Sequence, residues 1–224
     1  MEIGPGLGAL TSELERTGCR LDAIELDRDL VTPLLAAFSI HPQFTLHSAD
    51  ALQFDYASLR ENGETVRVVG NLPYNISTPL IFHLLSYSGV IRDMHFMLQL
   101  EVVERLTATP GSKHWGRLGI MTQFQCDAEL LFEVPPESFD PPPKVQSAIV
   151  RLTPLDEHRI PEVGEASLAK VVKAAFAQRR KTLRNNLKGL LNAEEIKSCD
   201  IDPGCRAETL ALDDFGRLAQ LIES

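Results

Sequence analysis

Glu2-Ile3-Gly4-Pro5-Gly6-Leu7-Gly8 carries the reading that decides the fold: a strand end, a glycine-rich turn, then helix-like spacing over residues 9–17. Glycine lets a backbone approach a ligand closely, and a following helix presents free N–H groups in its first turn. Outward from this turn the alternation repeats. Residues 21–26 read as a second strand closed by Glu25 and Asp27, residues 30–38 as a helix face, and residues 44–47 as a short strand ending at Ser48-Ala49-Asp50-Ala51. A fourth strand over 66–70, a helix over 80–85, a fifth strand over 94–99 and a helix from 102 continue the pattern. Strands alternating with helices predict parallel βαβ units with right-handed crossovers. The expected class is α/β, with a Rossmann-like, mostly parallel sheet.

Sheets of this kind place ligands outside the carboxyl ends of their strands. Glu25 lies 21 residues beyond Gly4, the usual place for a carboxylate that accepts ribose hydroxyls. Asp50 ends the next strand, where it can accept from an adenine amino group. Gly4, Gly6 and Gly8 would let a nucleotide approach the turn. The pattern Gly4-x-Gly6-x-x-Ala9 also satisfies the dinucleotide fingerprint, so a nicotinamide enzyme competes, as does a tight turn with no ligand.

Asn71-Leu72-Pro73-Tyr74 stands where the fourth strand ends. An exocyclic amine is a poor nucleophile because its lone pair is delocalised into the base. The Asn71 side-chain oxygen and the Leu72 or Pro73 carbonyl can take its hydrogens and localise that pair on nitrogen. Tyr74 can stack on the base face and favour a cationic methylsulfonium. The competing reading is a Pro-Tyr turn that closes a strand. A dehydrogenase has no use for an amine clamp there, whereas a methyl transfer from S-adenosylmethionine uses every part in this order. A DNA adenine methyltransferase fits less well, because Leu72 stands where such enzymes carry proline.

After Gly116 the pattern changes. Residues 118–126 predict a helix, 128–134 a strand, and 147–152 a strand returning across the proline-rich loop 139–144, an antiparallel hairpin at one sheet edge. Residues 153–163, with Pro154 and Pro161, have linker composition. Leu168, Val171, Val172, Ala175, Phe176, Leu183, Leu187, Leu190 and Leu191 then fall mostly on helical spacing. Asn192-Ala193-Glu194-Glu195 resembles a capping box, and Asp213 is placed to cap a last helix. The expected domains are 1–155, which binds the cofactor, and 156–224, helical and RNA-binding.

With 224 residues, 44% hydrophobic and 24% charged, the chain has the composition of an ordinary globular protein. No apolar run approaches the ~20 residues that span a bilayer. Its four cysteines form no metal-ligand spacing, which predicts reduced thiols, an intracellular setting and no metal. The net charge of −9 argues against a nucleic-acid partner, but its distribution reverses that. Residues 166–193 carry Lys170, Lys173, Arg179, Arg180, Lys181, Arg184 and Lys188 and no acid, leaving 15 basic against 31 acidic residues elsewhere. One or two amphipathic helices with Lys181, Arg184 and Lys188 along one face would meet RNA phosphates; a solvated helix face is the alternative. Lys113 and Arg117, in the aromatic-basic loop 113–117, are further candidate RNA contacts.

Taken together, the chain resembles the ribosomal RNA adenine N6,N6-dimethyltransferases, and among them the KsgA-type small-subunit branch. The resemblance rests on Glu2-Ile3-Gly4-Pro5-Gly6-Leu7-Gly8, Ile24-Glu25-Leu26-Asp27, Asp50-Ala51 and Gly70-Asn71-Leu72-Pro73-Tyr74-Asn75-Ile76-Ser77. It continues through Lys113 with Gly116-Arg117-Leu118, Phe139 with Pro141-Pro142-Pro143-Lys144-Val145, and Gln178-Arg179-Arg180-Lys181-Thr182-Leu183-Arg184-Asn185. It implies S-adenosylmethionine as cofactor, held by Gly4, Gly6, Gly8, Glu25, Asp50, Ala51 and Asn71. It implies that Asn71, Leu72, Pro73 and Tyr74 shape the reacting amine, with Phe139 a second aromatic beside the base; a core residue at a strand end is the other reading of Phe139. The substrate implied is two adjacent adenosines near the 3′ end of 16S ribosomal RNA, within the pre-30S particle, in the cytoplasm, by a monomer with a role in ribosome biogenesis. Family members carry a Gln-Asn-Phe-Leu segment ahead of the glycine loop that closes over the cofactor. Met1 stands where the first strand should already be under way, so the expectation is weak cofactor binding and impaired catalysis. The alternatives are a non-catalytic assembly factor and the related resistance enzyme acting on large-subunit RNA.

Overall fold

The computed structural model describes residues 1–60, 63–73 and 75–223. Seven strands form one sheet: β1 (Glu2–Ile3), β2 (Leu21–Glu25), β3 (Phe44–Ser48), β4 (Val66–Asn71), β5 (Ile91–Gln99), β6 (Cys126–Val134) and β7 (Ser147–Pro154). Their order is β3-β2-β1-β4-β5-β7-β6. The first five are parallel, and β7 enters antiparallel to β5, with Met97 opposite Ile149 and Gln99 opposite Ser147. Every residue of β2 is buried, as expected of an inner strand covered on both faces. The sheet is Rossmann-like, and its order reverses between β1 and β4. That is a topological switch point, where open α/β sheets bind their ligands.

The chain divides into two compact units, Met1–Leu100 with Glu129–Asp156, and Glu101–Ala128 with Glu157–Ser224. The helical unit thus takes in residues 101–128 as well as the C-terminal region, where the sequence placed a single cut at 155/156. The first unit holds α1 (Ala9–Glu15), α2 (Arg28–Phe38) and α3 (Ser77–Leu85). Asp27 caps α2 by accepting from the Asp29 N–H at 2.9 Å. On α3, Leu80, Ile81 and Leu84 are fully buried, as are Met94, Phe96 and Leu98 of β5. Each such side chain contributes about 1.5–3 kcal/mol relative to an exposed one.

The second unit contains α4 (Leu100–Leu106), whose first residue belongs to the first unit, then α5 (Arg117–Gln125), α6 (Glu165–Ala175), α7 (Leu183–Asn186), α8 (Ala193–Ser198) and α9 (Leu212–Glu223). Helices α5 and α9 pack on α6, and Leu168, Val172, Phe124, Phe215 and Leu218 fill the space between. The Asn192 capping box forms as read: its side chain accepts from the Glu194 and Glu195 N–H groups while Glu195 accepts from the Asn192 N–H. At α9 the expected cap differs. Asp213 lies inside the first turn, and its neighbour Asp214 accepts from the Ala211 N–H at 2.7 Å. Among the described residues no helix is long and apolar enough to cross a membrane.

Candidate active site

Four strand ends of the first unit carry the residues singled out in the sequence. Beyond β1, Gly4, Gly6 and Gly8 all adopt left-handed backbone angles, with φ of 67°, 60° and 86°. At Gly8 a Cβ would also meet the Phe38 ring at 2.5 Å, so no other residue closes this turn. Glu25, at the end of β2, is buried and reaches over to the turn. Its Oε2 accepts from the Gly6 N–H at 3.2 Å and its Oε1 from the Asp27 N–H at 2.9 Å. Two backbone donors therefore fix the plane of the carboxylate. Beneath the turn, burial pushes the Glu2 carboxyl above the usual carboxylate range, with the Thr11 hydroxyl, 2.7 Å from Oε2, pulling the other way.

Register places the next residues beside these. Glu25 pairs with Ser48, and the Ala49 N–H donates to the Glu25 carbonyl at 3.1 Å. Asp50 follows directly, one carboxylate oxygen accepting from the Leu52 N–H at 2.9 Å and the other from the Gln53 amide at 2.8 Å. Ala51 is buried under this turn. Two apolar side chains that sequence reading quoted only as motif letters stand out here: Leu7 is 85% exposed and Leu26 67% exposed. An exposed leucine directly after a fixed carboxylate offers a flat apolar surface to a nucleobase. The signal for it was the Glu25-Leu26 dipeptide at a strand end.

Across the switch point, β1 pairs with β4 through Glu2 and Val69, and Asn71 is the last residue of β4. The Asn71 side chain is exposed, whereas Leu72 is 1% exposed and anchors the turn in the core. The Pro73 carbonyl accepts from the Ile76 N–H at 3.2 Å. Among the described residues nothing donates to the Leu72 carbonyl, so the Asn71 oxygen and that carbonyl are the acceptors open to an incoming amine. Tyr74 lies outside the described residues. Phe139 sits in the loop joining β6 to β7 and is half-buried, not a core residue. That loop returns at the end of the sheet that carries Asn71, since β7 starts opposite Gln99 and the Leu100 N–H donates to the Gln146 carbonyl at 2.9 Å. Among the described residues no group of His, Cys, Asp and Glu is placed to hold a metal.

In the helical unit the basic segment departs from the expected helix face. Helix α6 ends at Ala175 because the Asn186 amide takes the Ala175 carbonyl at 2.6 Å and the Gln178 carbonyl at 3.1 Å. A side-chain donor thus replaces the next helical N–H, and the chain turns over 178–181. Lys181 lies in this turn, Arg184 in the four-residue α7 and Lys188 in the turn after it, so no single helix face joins them. All three are exposed, as are Lys170, Lys173 and Arg180. Arg184 and Lys188 line a surface cleft of about 550 Å³ with Asn185 and Leu190.

Arg179 is differently employed. It donates to the Lys113 carbonyl at 2.5 Å and to the Glu208 carboxylate at 3.1 Å, tying the 113–117 loop to the C-terminal segment. Lys113 and Arg117 are exposed, but Trp115 is 3% exposed and its indole N–H donates to the Leu210 carbonyl at 2.8 Å. The aromatic of this loop is a core residue, and only its two cations face solvent.

Comparison with known proteins gives a consistent result. The family model described as Ribosomal RNA adenine dimethylase matches residues 1–224. A Ribosomal RNA small subunit methyltransferase A of Pseudomonas aeruginosa is 60% identical over the whole chain, which covers 84% of that protein. One from Chromohalobacter salexigens is 56% identical over 99% of the chain and 80% of its own length. Among solved structures, a dimethyladenosine transferase from Plasmodium falciparum shares the fold, with a TM-score of 0.81 at 23% identity over 99% of this chain and 88% of that one. The 23S rRNA methyltransferase ErmE superposes with a TM-score of 0.75 at 25% identity, covering 100% and 90% of the two chains.

Proposed function

This chain belongs to the ribosomal RNA adenine dimethylase family, and from that premise we propose that it methylates N6 of two adjacent adenosines near the 3′ end of 16S ribosomal RNA. Each becomes N6,N6-dimethyladenosine, with S-adenosylmethionine as donor. The observation that carries this reading is the placement of Asn71 across the β1/β4 switch point from the Gly4–Gly8 turn. When bound, S-adenosylmethionine supplies a methyl carbon made electrophilic by its sulfonium sulfur. The glycine turn would admit its amino-acid tail, Glu25 would accept from the ribose hydroxyls, Asp50 from the adenine amine, and Ala51 and Leu26 would lie beside the ring. The Asn71 oxygen and the Leu72 carbonyl would accept the N6 hydrogens, two before the first transfer and one before the second, drawing the lone pair out of conjugation. Pro73 fixes the backbone of the clamp; Tyr74 and Phe139 hold the base face. The proton lost from N6 after each transfer leaves to water.

Incubating ribosomal RNA, free and in immature small subunits, with labelled S-adenosylmethionine and digesting it for mass spectrometry tests this reading. The expected product is labelled dimethyladenosine from 16S RNA. Label in 23S RNA instead, or RNA binding with no label, overturns it in favour of a large-subunit enzyme or a non-catalytic assembly factor.

Glu25→Gln probes the cofactor end. Glutamine offers one acceptor oxygen where the structure uses two, so its amide faces a backbone N–H. One lost charge-assisted bond costs about 1.5–3 kcal/mol, which predicts S-adenosylmethionine affinity lower by roughly ten- to a hundredfold. Titration calorimetry reads this directly, and an unchanged dissociation constant removes Glu25 from the site.

The RNA partner follows from the exposed cations of the helical unit. Arg180, Lys181 and Arg184 changed together to Ala should weaken RNA binding and lower the slope of log K against log salt by about 2 to 3. Arg179 is left in place because its loss would release the 113–117 loop. If both the affinity and the slope stay put, these cations belong to a solvated surface. Action as a cytoplasmic monomer on the pre-30S particle belongs to the same proposal.

A further inference from the structure

We propose that Tyr56 is a positioning residue for the donor side of the reaction: its buried hydroxyl sets the Asp50-Ala51 turn against the helix that follows the amine clamp. The inference rests on S-adenosylmethionine occupying the strand ends described above. Tyr56 opens a short 3-10 helix, Tyr56–Leu59, and is 1% exposed. Its hydroxyl donates to the Ala51 carbonyl at 2.9 Å. A phenol can rotate toward any acceptor within reach, yet this one is committed to the residue beside Asp50.

The surroundings make that commitment rigid. The Tyr56 ring packs edge-on against Phe54, His83 and Tyr87, with ring centroids 5.3, 5.7 and 5.5 Å away. Phe54 packs in turn on His47 of β3 at 5.1 Å. His83 lies on α3, the helix that leaves the clamp turn, and its Nε2 is 3.3 Å from the Phe54 carbonyl. A carbonyl can only accept, so this nitrogen carries the hydrogen. Edge-to-face aromatic contacts have defined geometry and resist sliding. Burial, the larger effect, and the nearby Tyr87 raise the phenol above its ordinary range, so the hydroxyl keeps its proton throughout the working pH range.

The consequence is a rigid path of described contacts from the donor turn to the acceptor helix. The Ala51 carbonyl is fixed by Tyr56, Tyr56 by His83, and His83 stands two turns into the helix that begins at Ser77. No group on this path touches the reacting atoms. Its work is to hold Asp50 where the adenine amine must find it.

Tyr56→Phe keeps the ring and deletes the hydroxyl, leaving the Ala51 carbonyl buried without its donor. The expected result is a five- to tenfold rise (roughly one lost hydrogen bond) in both the calorimetric Kd and the KM for S-adenosylmethionine. The kcat at saturating donor and the KM for RNA should stay as in the unaltered chain. Leu59→Ala removes a buried side chain of the same short helix that makes no ring contact with Tyr56, so it should lower the melting temperature and leave Kd and KM alone. Equal donor affinity in Tyr56→Phe, a fall in kcat instead of a rise in KM, or the same KM rise in Leu59→Ala each overturn the proposal. A Tyr56→Phe chain that does not fold overturns it too, since the hydroxyl then serves the core. If the unaltered chain neither binds S-adenosylmethionine nor methylates RNA, it is the proposed function that fails.

Discussion

Asn71→Ala is expected to lower kcat for methyl transfer on the order of 10²- to 10³-fold, the cost of removing one oriented polar group from a charge-developing centre. The reasoning starts from exposure. Asn71 ends β4 with its side chain outside the core, so truncation removes no packing, and the melting temperature should hold. Among the described residues, the side-chain oxygen is one of two acceptors open to an incoming amine. With it gone, one N6 hydrogen points at nothing, and the lone pair stays conjugated with the base. Cofactor affinity falls less than kcat, because Glu25, Asp50 and the glycine turn are intact. Asn71→Asp keeps an acceptor oxygen at the same place and should retain more activity than Ala. Single-turnover methylation with saturating donor separates the chemical step from binding. A kcat within about threefold of the unaltered chain, inside the range where context moves such numbers, would show that Asn71 is a turn residue after all.

Gly70→Ala is expected to be the most damaging single methyl in the sheet. A Cβ there would lie 2.6 Å from the Ile3 carbonyl oxygen, a backbone atom of the neighbouring strand that has no rotamer to escape by. Gly70 does not need an unusual backbone angle, so the whole cost is steric. Forcing β1 away from β4 should cost about 3 kcal/mol, the upper range for inserting atoms into a packed core. For a chain of this size that lowers the melting temperature by about 6–12 °C. Ile3 leads straight into Gly4, so the folded fraction should also bind S-adenosylmethionine less tightly. Gly89→Ala is the control, because a Cβ there meets nothing within 4 Å. Equal melting of the two variants would mean that β1 shifts freely.

The parts of this molecule that sequence reveals are those governed by local chemistry. The glycine turn, Glu25, Asp50 and Asn71 are all fixed by their place at a strand end, and strand ends follow from short apolar runs and turn residues. The Asn192 capping box is legible for the same reason: both of its bonds close within four residues. What escaped are features made by distant partners. Trp115 looks like a surface aromatic among cations until Leu210, 95 residues away, supplies its acceptor. Helical spacing through 166–193 marks Leu168, Leu183, Leu187 and Leu191 as buried, though Phe176 and Leu190 are only half-buried, and it cannot register that Asn186 reaches back to end α6. Arg179 has the composition of a phosphate contact and the geometry of a brace. Residues 101–128 follow the sheet in sequence but cluster with the helical unit, because the buried faces of α5 and α6 meet each other.

The strand order has a consequence for synthesis. β7 lies between β5 and β6, yet β6 is made first. While the chain emerges from the ribosome, Cys126–Val134 has no neighbour to pair with until Ser147–Pro154 follows, a delay of about 1–4 s at ordinary elongation rates. During that interval a nine-residue strand containing Leu130, Leu131 and Phe132 stands with its edges open. Asp127, Glu129 and Glu133 are spaced along it, and like charges on an unpaired strand discourage pairing with a second nascent chain. The acidic residues of β6 therefore guard the polypeptide on its way out of one ribosome, before it can act on the RNA of another.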